Sequence, residues 1–274
     1  MILSQPDFSI QPAGIAIRPD SLFLCFHKGQ VLLSKDWNIP VFEQIAPLLP
    51  EGCIPFELAH TDAFAVFTLP PFADILIPET AELSYCEIGI LRTLPYEKGA
   101  LLAACWHLWS WYSVNRFCGR CGSPNEPAQA ERALRCPSCG HLNFPMIAPA
   151  VIVAITCDDK ILLARNARSA YKHPALIAGY VEVGETLEHA VEREVKEETG
   201  LDISHLRYLG NQPWGISGSH MFAFHATASI EQPIRIQESE LTEARWFDRS
   251  ELHPRGSMVS IASELIERFR LGTL

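Results

Sequence analysis

The sequence is poor in long apolar runs and in basic residues. Nowhere among its 274 residues do about 18 consecutive apolar residues occur, as a membrane-spanning helix requires, and its start lacks the pattern of a signal peptide. Lys and Arg together number 22 against 32 Asp and Glu, a formal net charge of −10. An acidic chain attracts nucleic acid and anionic membranes only weakly. We therefore expect a soluble, cytoplasmic protein in which any polyphosphate partner needs local positive charge, such as bound metal ions.

The nine cysteines are arranged for metal binding rather than for disulfides. Cys118 and Cys121 form one C-x-x-C pair, Cys136 and Cys139 form another, fourteen residues separate the two pairs, and the other five cysteines are scattered. Four thiolates on two tight turns can close a tetrahedral zinc site, which is coordinatively full and therefore structural. The alternative, two redox pairs, is disfavoured because a glycine follows the second cysteine of each pair, as zinc knuckles often require.

The first half of the chain divides into an apolar region and the cysteine-bearing segment. Short apolar runs at 21–26, 64–70 and 73–78 predict strands, and the long apolar run at 99–114 predicts a helix. Between 116 and 145, Gly, Pro and polar residues break every periodic pattern. We predict a smaller α+β N-terminal domain over 1–115, followed by a zinc ribbon over 116–145.

The remaining residues, 146–274, alternate between strand and helix patterns. Predicted strands lie at 148–156, 161–165, 207–212, 221–229 and 244–248. One predicted helix is capped by Thr186 and ends at Gly200, and the other spans 257–271. Strands interleaved with two helices predict a layered α/β domain.

The segment from 179 to 201 contains seven glutamates and no aspartate. Glu194, Glu197 and Glu198 stand three or four positions apart on the predicted helix, so their side chains project near one another. Like charges at that spacing cost about 0.2 to 0.5 kcal/mol of helix stability per pair, a cost that a divalent cation would reverse. The plain alternative is a solvated charged face, but such a helix needs no glycine-bearing loop leading into it.

This segment resembles the Nudix box, G-x5-E-x7-R-E-U-x-E-E-x-G-U, where U is a bulky aliphatic residue. The nine specified positions all match: Gly179, Glu185, Arg193, Glu194, Val195, Glu197, Glu198, Gly200 and Leu201. The resemblance implies an α/β/α Nudix sandwich that hydrolyses a nucleoside diphosphate linked to another moiety, using Mg²⁺ or Mn²⁺. It also implies that Glu194 and Glu198 bind metal and that Glu197 is a further ligand or the catalytic base.

A zinc ribbon directly before a Nudix domain is similar to the NADH pyrophosphatase subfamily, and this resemblance covers nearly the whole chain. It implies cleavage of NAD(H) to NMN(H) and AMP, removal of NAD caps from RNA, and a homodimer. The subfamily motif S-Q-P-W-P-F-P-x-S corresponds here to NQPWGISGS. Four positions agree, namely Gln212, Pro213, Trp214 and Ser219, and four depart, namely Asn211, Gly215, Ile216 and Ser217.

Further roles follow from the same resemblance. Ala178, through its backbone carbonyl, and Glu240 complete the Mg²⁺ or Mn²⁺ site, while Tyr180 and Phe144 could stack on a base or on nicotinamide. The positions that match substrate contacts are Glu131, Phe144, Tyr180, Gln212, Pro213, Trp214, Gly215, Ile216, Ser217, Gly218, Ser219 and Ala262.

Two other hypotheses differ from NAD(H) hydrolysis. The altered GISG segment raises the possibility of a Nudix hydrolase for another nucleoside diphosphate derivative, such as a dinucleoside polyphosphate or an ADP-sugar. A zinc-ribbon RNA-binding or scaffold protein with a vestigial Nudix domain is disfavoured because the glutamate set is complete.

Overall fold

The structure is a computed structural model that describes residues 14–167, 174–254 and 259–274. The chain divides into two compact units. Among the described residues, one unit contains Ile147–Trp214 and Gly218–Leu274, and the other contains residues 14–146 together with Gly215–Ser217. Within the described ranges, no helix combines the length and the apolar character that crossing a membrane demands.

The unit that contains the acidic segment is built on a mixed six-stranded sheet. Its strands and helices are β10 Ala148–Cys157, β11 Lys160–Asn166, β12 Ile177–Tyr180, α3 Leu187–Thr199, β13 Ser204–Trp214, β14 Ser219–Thr227, β15 Leu241–Asp248 and α4 Ile261–Leu271. The strand order is β13-β14-β10-β11-β15, and β12 also pairs with β10. Strands β10 and β14 are parallel over nine residues, whereas the other pairs are antiparallel.

Alternation along β10 builds two cores, one on each face of the sheet. Val151 and Val153 pack in the cluster that contains α3, and Ile152 packs in the cluster that contains α4. Because both faces are covered, β10 is an almost continuous apolar run rather than an alternating one. This layered α/β/α arrangement confirms the predicted fold class, and the five strands predicted after residue 146 are all present.

Both predicted helices of this unit are present, and their ends have clear causes. The Thr186 hydroxyl accepts a hydrogen bond from the His189 N–H at 3.2 Å, and Gly200 ends α3 with a φ of 74°, as predicted. Helix α4 begins at Ile261, where the Ser260 side chain is the N-cap. Residues 257 and 258 of the predicted helix lie outside the described residues.

The second unit contains three small sheets and one long helix. Its elements are β1 Leu22–Leu24, β2 Phe26–His27, β3 Gln30–Ser34, α1 Phe42–Ile45, β4 Phe56–His60, β5 Ala65–Thr68, β6 Leu83–Glu87, α2 Tyr96–Val114, β7 Glu126–Pro127, β8 Leu134–Arg135 and β9 Leu142–Asn143. The sheets have the orders β1-β5-β4, β2-β3-β6 and β7-β8-β9. Helix α2 confirms the predicted apolar helix.

Two predictions for this unit need correction. The predicted strand at 73–78 is wrong, because this segment forms no strand; it lies between prolines, which cannot donate to a ladder, and it buries Ile77 while leaving Leu76 exposed. The predicted strand at 21–26 is two short strands that join different sheets, with buried Cys25 between them.

Candidate functional site

The four paired cysteines converge on one point. The sulfur atoms of Cys118, Cys121, Cys136 and Cys139 all lie within 4.8 Å of one another, with 3.7 Å between Cys118 and Cys139 and 3.5 Å between Cys121 and Cys136. A tetrahedral zinc ion with bonds of about 2.3 Å separates its sulfur ligands by about 3.8 Å. The four thiols therefore fit a structural zinc ion, as the sequence predicted.

The two C-x-x-C pairs, which we call the knuckles, form the same type of tight turn. The N–H of Gly122 donates to the Cys118 carbonyl at 2.9 Å, and the N–H of Gly140 donates to the Cys136 carbonyl at 2.9 Å. Both glycines are in the left-handed conformation, with φ of 76° and 73°. Residues that carry a Cβ atom rarely adopt this backbone conformation, which explains why glycine follows each pair.

The zinc ribbon also contains a buried arginine that the sequence did not single out. Arg132 is 5% exposed, and its guanidinium donates to the carbonyls of Leu58 at 2.8 Å and Glu57 at 3.3 Å. It also contacts the Tyr112 hydroxyl at 3.4 Å. These bonds attach the ribbon to β4 and α2. No local pattern distinguishes this arginine from the exposed arginines around it.

The acidic site in the other unit begins where β12 passes beneath α3. Gly179 pairs with Val151 on the α3 side of the sheet. A Cβ atom on Gly179 would overlap the carboxylate of Glu194. Only glycine therefore allows this carboxylate to lie directly on the strand.

Arg193 organises the glutamates of this site. Its Nε and Nη2 atoms donate to the two carboxylate oxygens of Glu185 at 2.8 and 3.0 Å, and Nη1 donates to Glu194 at 2.7 Å and Glu197 at 3.2 Å. Nη2 also donates to the Tyr180 carbonyl at 3.0 Å. Hydrogen bonds from Arg193 are the main reason that the pKa of Glu185 falls to about 2. Arg193 therefore steadies the acidic cluster by ion pairing.

The surroundings of Glu198 disfavour the charged form of its carboxyl group. Burial, followed by repulsion from Glu194, Glu240 and Glu197, raises the pKa of its carboxyl to about 7. Four carboxylates that face one another supply the hard oxygen ligands that Mg²⁺ and Mn²⁺ prefer. The carboxylate oxygens of these glutamates are farther apart than the four sulfur atoms. Within the described ranges, the four cysteines are the one group of three or more candidate metal ligands whose atoms lie within 4.8 Å of one another.

Glu240 reaches this site through the tertiary structure. The segment that precedes β15 runs along the end of α3, where the N–H of Arg235 donates to the Thr199 carbonyl at 2.8 Å and that of Gln237 to the Glu198 carbonyl at 3.1 Å. The Glu240 N–H then donates to the Gln237 carbonyl at 2.9 Å. The chain thereby returns to Glu198 over a separation that local sequence patterns do not reveal.

Gln212 is buried and holds the start of α4. Its side-chain carbonyl accepts from the Ile261 N–H at 2.7 Å, and its amide donates to the Val259 carbonyl at 2.8 Å. Ala262, also predicted to contact substrate, follows directly on α4. A substrate contact for either residue stays a prediction, but the structure links their positions.

The other predicted substrate residues are distributed over both units. Ala178, Tyr180 and Pro213 are exposed, Trp214 and Gly218 are half-buried, and Ser219 is buried. Gly215, Ile216 and Ser217 group with the second unit, to which the exposed residues Glu131 and Phe144 also belong.

The departure from the subfamily motif at Gly215 has a steric reason. A Cβ atom at this position would overlap the backbone carbonyl of Ala103 in the same unit. Proline, which the motif has at this position, carries a Cβ and would make the same overlap.

Known proteins resemble the chain along almost its whole length. Residues 114–144 match the NADH pyrophosphatase zinc ribbon domain, and residues 146–269 match the NUDIX domain. The NAD-capped RNA hydrolase NudC of Pasteurella multocida (strain Pm70) is 42% identical over 261 residues, covering 92% of this chain and 94% of that protein. The protein of the same name from Haemophilus influenzae (strain PittGG) is 38% identical over 195 residues, covering 69% and 72% respectively. The chain therefore belongs to the Nudix hydrolase family, within the group that carries the NADH pyrophosphatase zinc ribbon.

Proposed function

We propose that this protein hydrolyses the diphosphate bond of NAD(H) to NMN(H) and AMP, and that it removes NAD caps from RNA. The observation that carries the proposal is the carboxylate cluster, in which Glu198 is faced by Glu194, Glu197 and Glu240 and braced through Arg193. Similarity to proteins named NAD-capped RNA hydrolase supports the choice of substrate.

The cluster would hold the catalytic Mg²⁺ or Mn²⁺. Glu194, Glu198, Glu240 and the backbone carbonyl of Ala178 are the proposed ligands. When bound, such an ion acidifies water and offsets negative charge on the phosphates. Glu197 is a further ligand or the base that accepts a proton from the attacking water. The Arg193 Nη1 atom donates hydrogen bonds to the carboxylates of both Glu194 and Glu197.

The substrate contacts remain those proposed from the family. Tyr180 and Phe144 would offer aromatic faces for stacking, both being about half exposed at 51%. The other proposed contacts are Glu131, Gln212, Pro213, Trp214, Gly215, Ile216, Ser217, Gly218, Ser219 and Ala262. For Gln212, the two backbone hydrogen bonds of its side chain favour a role in holding α4 beside the substrate.

We also propose three domains, 1–115, 116–145 and 146–274, in a cytoplasmic homodimer. The matched families meet between residues 144 and 146, which supports the second boundary.

Product analysis tests the function. Purified protein is incubated with NADH, NAD⁺, ADP-ribose and a dinucleoside polyphosphate, each with Mg²⁺ or Mn²⁺, beside the Glu198→Gln variant. Release of NMNH and AMP by the parent and not by the variant is the expected result. Turnover of ADP-ribose or of the dinucleoside polyphosphate, with NADH left intact, would instead support the alternative substrate class that Gly215 and its neighbours raise.

A further inference from the structure

Two backbone carbonyls at the end of α3 are satisfied by a segment that lies far away in the chain. The carbonyls in the last turn of a helix have no partner within the helix and need one from elsewhere. Residues 234–240, which we call the strap, supply it. The Arg235 N–H donates to the Thr199 carbonyl at 2.8 Å, and the Gln237 N–H donates to the Glu198 carbonyl at 3.1 Å. The strap therefore caps the helix end that carries Glu198.

Packing against the core holds the strap in this position. Ile234 and Ile236 pack against the hydrophobic cluster that contains α3, whereas Arg235 and Gln237 are exposed. This alternation is that of an extended segment with one face on the core. Gly200 leaves the room that the strap needs, because a Cβ atom on Gly200 would lie 3.2 Å from the Arg235 Cβ atom. The last glycine of the Nudix box thus both ends α3 and admits the strap.

The strap ends in a tight turn that carries Glu240. The Gln237 carbonyl accepts hydrogen bonds from the N–H groups of Glu240 and Leu241, both at 2.9 Å. The Glu240 carbonyl accepts from the N–H of Ala167, the residue after β11, at 2.7 Å. Gln237 therefore contacts the end of α3 through its N–H and the turn that carries Glu240 through its carbonyl.

These backbone hydrogen bonds oppose a repulsion between two glutamates. Burial, followed by repulsion from acidic groups that include Glu240, raises the pKa of Glu198. Without a bound cation, this repulsion pushes the Glu240 carboxylate away from Glu198. Building on the proposed function, we infer that Gln237 is a positioning residue, whose N–H and carbonyl hold Glu240 beside Glu198 as a ligand for the catalytic Mg²⁺ or Mn²⁺. Because binding is reciprocal, an ion held by both carboxylates also tightens the strap.

The test removes the N–H of Gln237. Gln237→Pro loses this donor, and the extended residue before it, Ile236, suits a following proline. We expect the Mg²⁺ concentration for half-maximal NADH hydrolysis to rise roughly tenfold or more, as when groups that orient metal ligands are lost. At saturating Mg²⁺, kcat should fall by less than about threefold, because the ion then restores the position of Glu240.

The matched control is a proline one residue later. Glu238→Pro lies at the second position of the turn from Gln237 to Glu240, which favours proline. The Glu238 N–H donates no hydrogen bond to any residue that the structure describes. The Mg²⁺ titration of Glu238→Pro should therefore stay close to that of the parent.

A second substitution at the same position separates the hydrogen bond from the side chain. Gln237→Ala loses the exposed side chain but keeps the N–H, and melting temperature and zinc content are measured for every variant. Equal shifts of the Mg²⁺ titration in Gln237→Ala and Gln237→Pro would overturn the inference. An unchanged titration in folded Gln237→Pro would overturn it as well.

Hydrogen exchange of the parent protein tests the inference even if Gln237→Pro does not fold. Measured by mass spectrometry at single-residue resolution, the amide of Gln237 should exchange slowly and that of Glu238 rapidly, and added Mg²⁺ should slow exchange at Gln237 roughly tenfold or more. If the parent hydrolyses no NADH but Mg²⁺ still slows this exchange, the proposed function fails and the positioning role stands. If Mg²⁺ leaves this exchange unchanged, the positioning role is overturned whatever the enzyme hydrolyses.

Discussion

Gly179 lies so close to Glu194 that a Cβ atom on the glycine would overlap the glutamate's carboxyl carbon and both of its oxygens. The first glycine of the box is therefore a contact residue for the first metal-binding glutamate. Its contribution is the space that it leaves on the strand surface.

Gly179→Ala should displace the Glu194 carboxylate and weaken binding of the catalytic ion. We expect the Mg²⁺ or Mn²⁺ concentration for half-maximal activity to rise roughly 10- to 100-fold, as when the groups that orient metal ligands are lost. Metal titration of NADH hydrolysis measures this shift. Gly89→Ala is the control, because an added Cβ there meets nothing within 4 Å. An unchanged titration for Gly179→Ala would contradict the contact.

Arg193→Lys should lower activity although it retains the positive charge. Lysine cannot reproduce the fork that holds both oxygens of Glu185 while also reaching Glu194 and Glu197. We expect kcat to fall by about 10- to 100-fold at saturating metal, as measured by steady-state kinetics. Arg268→Lys alters only a single i,i+4 contact with Glu264, which a lysine can still make, and is the matched control. Equal effects from the two substitutions would argue against the bracing role.

Glu198 should make the stability of the protein depend on pH when no Mg²⁺ or Mn²⁺ is added. Its pKa is about 7 when folded, above the ordinary value of 4.5. The protonated form therefore stabilises the fold at pH below about 4.5, and this stabilisation is lost as pH rises through 7.

Glu198→Gln should remove that dependence. At pH 8 we expect the variant to be more stable than the parent by on the order of 1 to 2 kcal/mol, with solvent screening allowed for, and the difference should vanish near pH 4.5. Urea unfolding at both pH values measures the change, with zinc retained. Added Mg²⁺ should reverse the order at pH 8, because the ion binds the ionised carboxylate. A constant difference across pH would refute the shifted pKa.

Cys136→Ser should release zinc and lower the yield of folded protein, because the ribbon has little other core. Zinc content by elemental analysis and the melting curve are the measurements. Cys157→Ser, at a free cysteine of β10, should retain full zinc content. Normal zinc binding and normal melting by Cys136→Ser would contradict the four-thiolate site.

Local features of the sequence determined the parts of the molecule that depend on near neighbours along the chain. The cap at Thr186, the apolar stripe containing Val191 and Val195, and the left-handed Gly200 define α3 within one segment. The cysteine spacing likewise predicted the zinc ribbon. Spacing is sufficient in these cases because helix contacts join residues three or four apart and each knuckle joins residues three apart.

The tertiary structure decided what depends on residues distant in sequence. It brings Glu240 beside Glu198, buries Gln212 against the start of α4, and passes the predicted strand at 21–26 from one sheet to another. Without the family resemblance, Glu240 is one acidic residue among 32. Such contacts follow from how whole strands and helices pack, and no periodicity within a single segment encodes that packing.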